Sequence, residues 1–502
     1  MTRRLAGAAF WILLALLVIA NAIVMWHSLT VLRLWEDEAF NLTVPRNLVA
    51  GLGYTSDGTL SGSTLTPFDP RISTGPVVLL PVAGVLMLGM DPVIGARLVP
   101  LASWVLLLAG CAVLGRRLAG RSGALVAVAL PLAFNTAESV SPIQGPADLL
   151  GEIPAAALLV WALIVLPRRS WLAGLLLGLA VQAKLIALLA LPAFAVALFL
   201  LTPPVPFGRR LVAALRRSVL PLVLVAAPTL LVELTALVSL GVTGYARHVR
   251  ALGGFLLSGG QHIAPTTVPE KLGTLAGAWF VPWWLMAAAV ALAVAAVVWA
   301  AVPPRGTEGE APAQRWWQRD PQLLALGFGS AVGLLSFVGW WAQASQLPLW
   351  VRHPAVGVFA FAPVLAAIAV RAVTALWRRR APSGAQSPAR ILAVVSAVVL
   401  GVVVAAGAVG DAARAVRPPT TETLAQQRAA VAPLADWVRE HDAAWLAAKP
   451  WGGPVSSVVL TGAHVGLFDA PAMRRTPTLE YGVCSTGSPL AAASGIVICP
   501  AP

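Results

Sequence analysis

The sequence predicts an all-α polytopic membrane protein: about eleven transmembrane helices, helices lying on its outer side, and a small α/β extracytoplasmic C-terminal region. Three observations predict this. The 502 residues are 58% hydrophobic and only 11% charged. Apolar runs of about 20 residues, enough to cross a bilayer, recur along most of the chain. Arg-rich clusters punctuate those runs, as cytoplasmic loops do. The net charge of +14 therefore belongs to loops rather than to a nucleic-acid surface.

The first apolar run, residues 5–32, follows Arg3 and Arg4. It is longer than a signal-peptide core and lacks a small-residue cleavage site, so it is expected to stay as a first span with a cytoplasmic N-terminus. Directly after it comes LWEDEAFNLTVPRNLVAGLG, residues 34–53, with Glu36, Asp37 and Glu38 in succession. Acids held at a membrane surface cost desolvation energy unless a cation, a metal or a polar substrate meets them. That cluster is the candidate reaction centre.

Charge parity orders the rest. Clusters at Arg116, Arg117 and Arg121, at Arg168 and Arg169, at Arg209, Arg210, Arg216 and Arg217, at Arg305, Arg315 and Arg319, and at Arg378, Arg379, Arg380 and Arg390 should all face the cytoplasm. STGPVVLLPVAGVLMLGM, residues 73–90, would break that parity if it crossed. It is expected to form an interfacial or re-entrant helix in a first outer loop, 33–91. Residues 171–201 are too long for one helix and carry Lys184 near the middle. Two short helices meeting at Lys184 restore parity and bring its charge to the outer face. Further spans are expected at 92–115, 123–137, 151–166, 219–240, 272–301, 323–344, 354–377 and 391–409. A transmembrane domain over 1–410 then leads to an extracytoplasmic domain, 411–502. In that domain DWVREHDAAW reads as an amphipathic helix and VSSVVLTG as a strand. Cys484 and Cys499 are placed to form a disulfide there, in an oxidising compartment.

The outer polar residues then include Asp37, Glu38, Arg71, Asp148, Glu152, Lys184, His262, Arg352 and His353. Carboxylates from two loops facing cations from several others suit a phosphate-bearing substrate with an anionic leaving group. A carboxylate could deprotonate an acceptor hydroxyl. A divalent metal ion could bridge carboxylate and phosphate, with Glu38 and His262 as ligands. Asn41-Leu42-Thr43 matches a glycosylation sequon but adjoins this site, so it is discounted.

WEDEAFNLTVPRNLVAGLGY resembles the first outer loop of the GT-C glycosyltransferases, in the protein mannosyltransferase and lipid A aminoarabinose transferase branch. FDPRISTGPVVLLPVAGVLMLG is similar to their second juxtamembrane helix, and DPVIGARLVPLASWVLLLAGCAVLGRRLAGRSGALVAVAL to their second and third spans. SWLAGLLLGLAVQAKLIALLALPA and WVRHPAVGVFAFAPVLAA are similar to later segments, although His353 and Pro354 depart from the usual residues.

The resemblance implies sugar transfer from a polyprenyl-phosphate donor to a hydroxyl of a glycan, lipid or protein on the extracytoplasmic face of the plasma (inner) membrane, with inversion. It gives Asp37 the place of the base and Glu38 that of an orienting group or metal ligand. Asp148 or Glu152 would be the second-loop acid, and Arg71, Lys184 and Arg352, with His353 beside them, donor-phosphate contacts. Two other classes compete: a flippase of polyprenyl-linked or lipid-linked glycans, which would favour inverted repeats with polar residues at mid-membrane, and an inactive envelope-assembly scaffold.

Overall fold

In the computed structural model, which describes residues 2–58, 65–137, 141–258, 264–302, 320–378, 387–449, 451–467 and 473–501, the protein is a helical bundle joined to a small mixed sheet. His262 and the arginines Arg305, Arg315, Arg319, Arg379 and Arg380 lie outside the described residues. The chain is a multi-pass membrane protein. Seven described helices are long and apolar enough to cross a bilayer.

The order is α1 (Thr2–Thr30), α2 (Glu36–Val49), an antiparallel hairpin β1 (Thr55–Asp57) and β2 (Leu65–Pro67), then α3 (Pro76–Leu86) and α4 (Pro92–Ala133). There follow α5 (Glu152–Val165), α6 (Ser170–Ala183), a 3-10 turn (Leu185–Ala190), α7 (Leu191–Leu200), α8 (Phe207–Ser258), α9 (Val268–Gly277), α10 (Trp283–Ala301), α11 (Pro321–Gln343), α12 (Arg352–Trp377) and α13 (Pro388–Val416). Gly120, at φ 68°, folds α4 into two arms, and a Cβ on Gly115 would stand 2.4 Å from Gly123 O, so only glycines let the arms meet. Among the described residues, counting α4 as two and adding α5, α6 and the 185–200 segment to the seven long helices gives eleven rods.

Two sequence expectations are corrected here. The run 272–301 is two helices: α9 ends at Gly277, where Ala278 leaves helical geometry, and α10 starts again at Trp283 after the extended Pro282. VSSVVLTG is helical: Pro454 starts α15 (Gly453–Thr461) and left-handed Gly462 ends it. Its residues are buried nearly all round, and a short run buried on every side has no periodicity to tell helix from strand.

α12 is the most buried of the long helices and packs against α4, α11, α10, α13 and α5. It is the central post of the bundle, with Arg352 at its first turn. α13 continues through Asp411 to Val416, and the C-terminal unit starts with α14 (Leu424–Glu440). There β3 (Trp445–Ala448), β4 (His464–Leu467), β5 (Thr478–Tyr481), β6 (Ala491–Ala493) and β7 (Ile496–Cys499) form one sheet in the order β4-β3-β5-β7-β6, parallel around β3 and antiparallel beyond β5. Cys484 and Cys499 are disulfide-bonded, with the sulfurs 2.09 Å apart.

Candidate active site

α2 opens on Glu36, Asp37 and Glu38, a placement its N-terminal dipole favours. The three acids have different neighbours. Glu36 lies 3.6 Å from Arg33. Asp37 Oδ2 accepts from Arg352 Nη1 at 2.6 Å, and its carboxylate is the most exposed of the three. The Arg352 guanidinium sits between Trp35 and Trp350, 5.7 and 4.7 Å from their ring centres. Aromatic faces can hold a cation while leaving its remaining N–H groups free to bind an anion.

Glu38 is fully buried, and both its oxygens are taken by Arg97 at 2.7 Å. Arg97 spends its other donors on Leu29 O, Leu32 O and Arg33 O. This ion pair is fully hydrogen-bonded, the condition under which a buried pair is tolerated. It ties the end of α1 and the start of α2 to α4 and engages both Glu38 oxygens. Among the described residues, no three His, Cys, Asp or Glu side chains group together. His262, the other metal-ligand candidate, is outside those residues.

Asp148 lies in the loop before α5, also fully buried. Its Oδ2 accepts from Gln144 N at 2.6 Å while Oδ1 has no partner. Burial first, and then the Glu38 charge, push its carboxyl well above the usual range; Arg97 and the Gln144 and Gly145 amides pull the other way. Asp148 thus feels both the Glu38 charge and the Arg97 charge without a hydrogen bond to either side chain.

Glu152, first residue of α5, instead meets Lys184: Oε1 is 2.8 Å from Nζ, and Oε2 is buried without a partner. Lys184 Nζ also donates to Ser73 Oγ at 2.8 Å. Lys184 is extended where α6 stops, and it bridges to Thr74. Two glycines make that junction: a Cβ on Gly75 or on Gly151 would stand 2.0 Å from Gln182 O or Ala183 O respectively. Asn41 donates to Thr74 Oγ1 and Leu149 O, so the sequon asparagine is buried and occupied.

His353 follows Arg352 in α12. Its Nδ1 is buried without a partner, its ring faces Trp340 and Trp350, and it lies within the fields of Arg352, Lys184 and Lys271. With the Lys184 turn packed on α12, this joins the Asp37–Arg352 and Glu152–Lys184 pairs in one region. Arg71 is held by Asp69, Nη2 to Oδ2 at 2.8 Å, and stacks 5.3 Å over Phe40 of α2.

Sequence reasoning missed Arg97, Ser73 and Lys271. The signal for Arg97 was a lone cation inside an apolar run. Lys271, on α9, is fully buried and donates to Trp341 O at 2.6 Å and to Ala344 O, so it caps the end of α11 ahead of the turn that delivers Arg352.

No family model and no curated protein sequence matches the chain. Solved structures do. ArnT from Cupriavidus metallidurans in the apo state superposes with a TM-score of 0.58 at 12% identity, over 98% of each chain. The same ArnT bound to undecaprenyl phosphate superposes with a TM-score of 0.59 at 13% identity, over 97% of each. The chain has the fold of ArnT. The likeness to ArnT extends over both the bundle and the C-terminal unit.

Proposed function

We propose that the protein is an integral membrane glycosyltransferase that moves a sugar from a polyprenyl-phosphate donor to a hydroxyl acceptor on the extracytoplasmic side. The observation that carries this is the Asp37–Arg352 contact: a partly exposed carboxylate able to take a proton lies 2.6 Å from a guanidinium able to take a phosphate. The ArnT fold, seen there with undecaprenyl phosphate, supports the same reading.

In the proposed step the acceptor oxygen attacks the anomeric carbon and its proton passes to Asp37. The bond from that carbon to the phosphate oxygen breaks, and polyprenyl phosphate leaves from the opposite face, inverting the anomeric centre. Arg352 and Lys184 stabilise the departing charge, with His353 beside them. Glu152 is the second-loop acid and orients Lys184, whereas Asp148 and Glu38 build the scaffold beneath. Arg71, already bidentate with Asp69, is a secondary phosphate contact.

The N-terminus is assigned to the cytoplasm and the disulfide-bonded C-terminal domain to the outside. Incubation of the purified protein with a panel of polyprenyl-phosphate sugars, followed by mass analysis, tests the function. A glycosylated acceptor with release of polyprenyl phosphate supports it. Movement of intact lipid-linked sugar across vesicles without transfer supports a flippase.

A further inference from the structure

The C-terminal domain grips the backbone that leads into Asp37. Gln427, on α14, is buried, and its side-chain amide meets Leu34 twice: Leu34 N donates to Oε1 at 2.9 Å and Nε2 donates to Leu34 O at 2.9 Å. Leu34 is itself fully buried, so no water can replace either bond. Just upstream, Leu32 and Thr423 form an antiparallel bridge and Leu424 N donates to Val31 O at 2.9 Å. Asp37 lies three residues beyond the clamped Leu34.

The far end of α2 is gripped by the same domain. Arg46 donates to Val459 O at 3.0 Å and Gly462 O at 2.9 Å, and Asp57 accepts from Val465 N at 2.8 Å. α2 has no side-chain N-cap of its own. Its entry angle is therefore fixed from outside, by the Glu38–Arg97 pair below and by Gln427 from the C-terminal domain.

We infer that Gln427 is a positioning residue for sugar transfer: through the Leu34 backbone it sets where the Asp37 carboxylate stands against Arg352. This rests on the reading of Asp37 as the base. It makes the C-terminal domain part of the reaction machinery, acting through the loop it holds.

The test uses the full chain in lipid nanodiscs with Gln427→Met, Gln427→Glu and Arg428→Gln. The last removes the neighbouring exposed Arg428–Asp91 pair and leaves Leu34 alone. Gln427→Met is expected to lower kcat by about tenfold to a hundredfold, the scale of a misplaced reacting group. Undecaprenyl phosphate should bind within about twofold of the wild type, as for a group that acts only on the chemical step. Gln427→Glu, which keeps the acceptor and loses the donor, should fall between, and Arg428→Gln should match the wild type.

Hydrogen exchange reads the clamp without turnover. The Leu34 amide should be protected in the wild type, and residues 34–39 should exchange faster in Gln427→Met while α1 and α13 do not. Wild-type kcat in Gln427→Met, the same kcat loss in Arg428→Gln, or a freely exchanging Leu34 amide in the wild type would each overturn the inference. Should Gln427→Met not fold, Gln427→Glu and the wild-type exchange still decide. If the wild type transfers no sugar from any polyprenyl phosphate, the functional reading fails, and exchange alone then judges the clamp.

Discussion

Asp37 and Arg352 stand 315 residues apart in the chain and 2.6 Å apart in space. One begins the helix after the first span and the other begins the most buried long helix of the bundle. Two groups with opposite tasks, taking a proton and taking a phosphate, thus neutralise one another while the site waits for substrate.

Arg352 should therefore matter first for binding. A hydrogen bond to a charged group is worth about 1.5–3 kcal/mol, so Arg352→Met is expected to weaken binding of undecaprenyl phosphate by roughly tenfold to a hundredfold. Arg352→Lys should recover only part, because an ammonium lacks the planar fork that lies between Trp35 and Trp350. Titration of the lipid phosphate into the purified variants measures both.

The two second-loop acids should separate cleanly. Glu152→Gln removes the charge that holds Lys184 and is expected to lower turnover by about tenfold or more. Asp148→Asn keeps the Gln144 contact and should turn over nearly normally. Loss of activity in Asp148→Asn with retention in Glu152→Gln would exchange the two assignments.

Asp148 also has a pH signature. Its folded carboxyl holds a proton more tightly than the unfolded chain does, so it favours folding fully below the ordinary carboxylate value. That contribution is lost as pH rises through the raised folded value. Asp148→Asn fixes the neutral form and should flatten this decline. Unfolding measured across acidic to neutral pH gives the slope for each protein, and equal slopes would mean that Asp148 is ionised in the fold.

Glu38 and Arg97 should behave as a structural pair. Breaking a buried pair from one side leaves an uncompensated charge, so Glu38→Gln or Arg97→Met is expected to cost about 3–5 kcal/mol of stability. Glu38→Gln combined with Arg97→Met should cost less than the sum of those two single changes. Unfolding in detergent reports this; a stable, inactive Glu38→Gln would move Glu38 into the chemistry.

Gly151 offers a test in which no functional group is removed. Gly151→Ala puts a methyl into Ala183 O and pushes at Lys184 Cβ. Because a misplacement of about 1 Å can cost a hundredfold, turnover should fall steeply although Glu152 and Lys184 both remain. Steady-state kinetics at saturating donor checks it.

Much of this was legible from charge and hydropathy. The kink at Gly120, the broken helix at Lys184 and the short α3 follow from Arg parity and segment length, and so does the common side of Asp37, Lys184 and Arg352. What the sequence could not supply was pairing. Nothing near Glu38 announces that its partner is Arg97, and nothing near Asp37 points to Gln427 as the support of its backbone. Those contacts join residues far apart in the chain through backbone carbonyls and amides, which carry no side-chain signature. The strand expected at VSSVVLTG failed for a related reason: tertiary burial on all sides erased the pattern that distinguishes the two states.

As the proposed base, Asp37 accepts the acceptor's proton in sugar transfer. The direct measurement is turnover by Asp37→Asn with a polyprenyl-phosphate sugar that the wild type uses, alongside its binding of undecaprenyl phosphate. Transfer should be abolished while the variant folds and still binds the lipid phosphate. Near-wild-type transfer by Asp37→Asn would contradict it.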